Sequence, residues 1–108
     1  MRVVMVEVGR KACEMELEDS LASMQRAVGG LIQAVYEPGG RDAALICNEE
    51  GKLLGLPVNQ AATDMAAIYN DVIVGNAILI GTTEEDFIGL TKEAAEHIVE
   101  EWGWTDAE

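Results

Sequence analysis

The chain has 108 residues, 49% hydrophobic and 25% charged, which suffices for one core without disulfide or metal support and argues against global disorder. Twenty acidic side chains against seven basic ones leave a net charge of −13, so phosphate backbones and anionic membrane surfaces are poor partners. No stretch approaches the roughly 20 apolar residues of a membrane span, and Cys13 and Cys47 have no CxxC spacing that would suggest a zinc site or a disulfide framework.

Met1 to Val8 is apolar, too short for a signal region and interrupted by Glu7, so a reducing cytoplasm is the expected compartment. Arg2 to Val8, rich in Val and closed by Gly9, predicts a strand. Lys11 to Leu17 alternates Cys13, Met15 and Leu17 with Ala12, Glu14 and Glu16, the period of a strand with one wet face, so an opening hairpin is expected. Asp19 or Ser20 can cap a helix carrying Leu21, Met24 and Val28, which Gly29-Gly30 stops. Leu31 to Tyr36 predicts a strand, and Glu37-Pro38-Gly39-Gly40 a turn.

Ala43 to Asn48 follows as a strand, and Leu53, Leu54 and Leu56 are expected to return beside it in a second hairpin around Gly51. Pro57 ends that pairing, and Val58 to Ala67 predicts a loop or short helix. Asp71 to Leu79 predicts one bulged strand or two strands around Gly75-Asn76. From Thr91, the stripe Ala94, Ala95, Ile98, Val99 and Trp102 predicts a final helix that buries Ile98, Val99 and Trp102. Nine acids and one base, Lys92, lie between Glu84 and Glu108, so much of the charge forms a solvated helix face and tail.

These elements predict an α+β domain over 1–103, a mainly antiparallel sheet of about five strands with two main helices on one face, and an acidic tail at 104–108. Both cysteines fall in apolar-periodic segments and are expected as buried thiols. The apolar run Val72 to Leu79 is expected as an open sheet edge and so as a route to a homo-oligomer.

Catalytic signals are thin. His97 is the one histidine, and no nucleophile at a recognisable spacing completes a dyad with it. Glu84-Glu85-Asp86 lacks the alternating oxygen ligands of a calcium loop. Gly51-Lys52 lacks the earlier glycine and the Ser or Thr of a phosphate loop. An enzyme is therefore not expected, nor a cofactor or metal. The polar residues Asn48, Lys52, Asn59, Asp64, Tyr69, Asn70 and Asp71 gather around the middle hairpin and the irregular chain after it. Asn offers a donor and an acceptor and Tyr a stacking face, which suits a heterocyclic ligand.

The string Leu-Ile-Gln-Ala-Val-Tyr (31–36), then Ala-Leu-Ile-Cys-Asn-Glu-Glu-Gly-Lys-Leu-Leu-Gly-Leu-Pro-Val-Asn (44–59), resembles the domain of unknown function numbered 3846, found in bacteriophages and mobile elements. Ile-Tyr-Asn-Asp (68–71), Ile-Leu-Ile-Gly (78–81) and Glu-Asp-Phe-Ile-Gly-Leu-Thr (85–91) extend the likeness in order. The resemblance implies a small accessory protein of a phage or mobile element, with counter-defence as its expected role. The first expectation is a sponge that sequesters a nucleotide-type immune signal. Tyr69 would stack on the base, Asn48 and Asn59 read its edge, and Lys52, helped by Arg41, face phosphate. The alternative is an acidic decoy that binds a host defence protein.

Overall fold

The computed structural model describes residues 1–36, 43–65, 72–83 and 86–102. Its strands are β1 (Arg2–Val6), β2 (Cys13–Glu16), β3 (Ile32–Tyr36), β4 (Ala43–Asn48), β5 (Ala77–Thr82) and β6 (Phe87–Ile88). The helices are α1 (Leu21–Val28), α2 (Gln60–Met65) and α3 (Lys92–Trp102). Every strand pairing is antiparallel, in the order β2-β1-β5-β4-β3, with β6 beside the end of β5. The predicted α+β class and antiparallel sheet hold.

Local chemistry sets the helix ends. Ser20 caps α1 by accepting from the Ser23 N–H at 3.1 Å, and Gly29 ends it at φ 81°, where a left-handed residue lets the Gly29 and Gly30 amides return to Gln25 O. Thr91 Oγ1 accepts from the Ala94 N–H at 3.1 Å and caps α3. An eight-residue helix such as α1 is marginal alone, so Met24 and Val28 hold it by packing on the sheet.

The helices lie on opposite faces of the sheet, not on one. Val3, Met5, Ala44, Ile46, Ile78 and Ile80 point to α1, while Val4, Val6, Leu45, Cys47, Ala77 and Leu79 point to the side that carries Ala62 and Met65 of α2 and Ala95 of α3. The sequence expectation failed because β1, β4 and β5 are apolar at consecutive positions, the signature of strands covered on both sides. Ile98 and Val99 pack partly buried against the second core, and the Trp102 side chain and the 104–108 tail lie outside what the structure describes.

Other expectations need correction. Leu53, Leu54 and Leu56 form no strand: the chain from Glu49 to Gly55 is a run of turns. The Val72–Leu79 run is not an edge, because β5 is flanked by β1 and β4 and only Val74 pairs before it, with Val58. β5 therefore offers no open edge for the expected pairing, and the outer strands of the ordered sheet are β2 and β3. The two-residue β6 and its pairing with Gly81 and Thr82 were not foreseen.

Cys47 is buried as expected, but Cys13 is exposed on β2. We predict that one thiol reacts promptly with a disulfide-exchange reagent in the native protein and that the second follows only on unfolding. Two prompt equivalents would contradict this placement.

Candidate functional site

The chain leaving β4 builds a cleft. Asn48 ends that strand with its side chain buried; its Nδ2 donates to Val28 O at 3.2 Å and its Oδ1 accepts from the Glu50 N–H at 2.8 Å. One amide thus closes the end of α1 and starts the turn. Successive bonds, Gly51 N–H to Asn48 O, Leu54 N–H to Glu50 O and Leu56 N–H to Gly51 O, coil the segment into a compact knuckle.

Gly51 lets this knuckle press on the neighbouring ribbon. A Cβ there would fall 2.8 Å from Val74 Cγ2, too close for any larger residue without movement. The ribbon is held by the Val58–Val74 bridge, by Asn59 N–H to Ile73 O at 2.8 Å and by Gly75 N–H to Pro57 O at 2.7 Å. Between knuckle and ribbon lies a cleft of about 190 Å³ lined by Gln33, Cys47, Asn48, Glu49, Gly51, Lys52, Leu53 and Val72 to Val74.

The predicted site residues separate. Asn48 and Lys52 line this cleft. Asn59 does not: it is 1% exposed, its Nδ2 donates to Val6 O at 2.8 Å and Gly75 O at 2.9 Å, and its Oδ1 accepts from the Ala62 N–H at 3.1 Å. Both donors of that amide are engaged, so it has no edge to offer a ligand. Asn48 is likewise committed to backbone. Arg41 and Tyr69, with Asn70 and Asp71, lie outside the described residues.

Other polar candidates are ordinary surface. His97 is exposed, 3.7 Å from Glu101 on the same helix. Thr83 Oγ1 accepts from the Asp86 N–H at 3.0 Å, a local turn. No group of three His, Cys, Asp or Glu converges among the described residues, and no helix there is long and apolar enough to cross a membrane.

Sequence reasoning missed the apolar rim. Leu53, 86% exposed, and Val72, about half exposed, line the cleft; Leu54 is 60% exposed next to Leu53 in the chain, and Val58, about half exposed, bridges to Val74 of the cleft wall. The available signal was Gly51 and Gly55 bracketing a leucine pair: a turn that tight cannot turn two adjacent side chains into one core. A family model described as Domain of unknown function (DUF3846) matches residues 1–103. No curated protein and no solved structure matches the chain.

Proposed function

The chain belongs to the DUF3846 family, and on that premise we propose that it is a non-catalytic binding protein that grips another protein through the knuckle after β4. The observation that carries this reading is the exposed pair Leu53-Leu54 beside Val58 and Val72. Water-exposed leucines on a turn cost solubility and add little to the core, and exposed apolar side chains beside a cleft are what a docking surface offers. In the setting expected from the family resemblance, a phage or mobile element's counter-defence protein, the partner is a host defence protein. The charge of −13 then selects among partners and speeds encounter with a basic one.

A nucleotide-type ligand is the second reading, favoured by Asn48 and Lys52 sharing one cleft. Size weighs against it: about 190 Å³ is below the roughly 300–1,000 Å³ of pockets that enclose a small molecule. Asn59 also has both amide donors engaged by backbone carbonyls, which leaves it none with which to read a base.

One pair of measurements separates the readings. The double variant Leu53→Ser, Leu54→Ser should keep wild-type stability to within about 0.5 kcal/mol, since both side chains are exposed. It should lose at least tenfold in capture of the host protein that the wild type retains from bacterial extract. Equal capture by both would sink the proposal. Calorimetry against cyclic and linear nucleotides is the complementary arm, in which micromolar binding abolished by Lys52→Glu would establish the second reading instead.

A further inference from the structure

A second surface lies at the far end of the sheet, on β2. All four of its residues are exposed, and no described strand pairs with its outer side. The register with β1 sets Arg2 opposite Glu16, Val3 opposite Met15, Val4 opposite Glu14 and Met5 opposite Cys13. The Met1–Leu17 pair beside them exchanges both backbone hydrogen bonds. Bonded and non-bonded pairs alternate along an antiparallel ladder, so Glu14 and Glu16 turn their N–H and C=O groups outward.

The two faces of this edge differ. Met15 lies on the α1 side, where a groove of about 310 Å³ is lined by the apolar Met5, Met15, Leu17 and Ala27 together with the charged Glu18 and Arg26. Glu14 and Glu16 lie on the other side, held upright by Arg2 Nε at 2.7 Å and by the Met1 ammonium at 2.8 Å. The hydrogen bond from that ammonium, with its charge and that of Arg2, keeps the Glu16 carboxyl below the ordinary carboxylate range. Its charge is therefore present at neutral pH and lost only as pH falls through that lowered value.

We propose that β2 accepts an extended segment of a basic partner as an added antiparallel strand, reading alternate basic and apolar residues. Side chains opposite Glu14 and Glu16 share their face, so Lys or Arg there makes cross-strand ion pairs. The residue between them lies opposite Met15 and turns an apolar side chain to the groove. Four outward backbone groups give the strand its hydrogen bonds. A second copy is the wrong occupant, because pairing β2 with itself across a two-fold axis sets acidic residues against acidic residues. This surface is independent of the Leu53-Leu54 rim.

The test uses the full chain and a nonapeptide of alternating lysine and valine. Fluorescence anisotropy should register binding that weakens at least tenfold for a peptide of the same composition with its lysines in one block. Glu14→Gln with Glu16→Gln should also weaken it at least tenfold. Amide exchange at Glu14 and Glu16 should slow at least tenfold in the complex. With the protein unaltered, N-methylation of the lysine amides should abolish binding, whereas N-methylation of the valine amides, which face away, should leave it within threefold. Absence of binding, equal binding of the block peptide, unprotected Glu14 and Glu16 amides, or indifference to the position of the N-methyl groups would each overturn the proposal.

Discussion

Replacing Asn59 with Leu should lower the unfolding free energy by about 3 kcal/mol or more, because three buried backbone groups each lose a partner at about 1–3 kcal/mol apiece. Those groups are the carbonyls of Val6 and Gly75 and the N–H of Ala62, so one side chain ties β1, the ribbon before β5 and the start of α2. Asn59→Asp is the sharper test. Asp caps a helix as well as Asn does, so a residue that served only as the cap of α2 would tolerate it. Here the change sets a carboxylate oxygen against two carbonyl oxygens, and the cost should equal or exceed that of Leu. Urea midpoints for the three proteins decide it, and a neutral Asp variant would contradict the bridging role.

Ile78→Ala and Leu79→Ala should each cost about 2–5 kcal/mol, the usual range for deleting a buried aliphatic side chain. The two residues are adjacent on β5, essentially inaccessible to solvent, and face separate cores. A sheet with helices on a single face would leave one of the pair near water, where truncation costs well under 1 kcal/mol. Two large and similar losses in guanidinium unfolding are therefore the energetic signature of a sheet covered on both sides. One large and one negligible loss would refute that architecture.

Much of this fold is legible residue by residue. Ser20 and Gly29-Gly30 bound α1 because a cap and a left-handed stop are local devices that need no distant partner. The same holds for Thr91 and α3. The alternation in β2 was also visible, but the exposure of its odd face was not: Cys13 and Met15 are exposed because β2 is the last strand and α1 packs mainly on β3, β4 and β5. The candidate site was legible in place rather than in role. Asn48 and Lys52 do line a cleft, yet whether an amide meets a ligand or a carbonyl depends on Val28, Val6 and Gly75, which lie from 16 to 53 positions away in sequence.

By itself, then, the sequence determined the α+β class, the antiparallel sheet, the ends of the helices, the charge of −13 and the family. The charge follows from composition and the helix ends from neighbours within a few positions, whereas the family rests on a pattern over residues 1–103. Only the tertiary structure decided that β5 lies inside the sheet with both edges paired, that helices cover both faces, and that Leu53 and Leu54 face water. Consecutive apolar residues suit an edge strand, a central strand or an exposed turn equally well. The choice is made by which strands pair over long separations and by which apolar surface remains once both cores are filled.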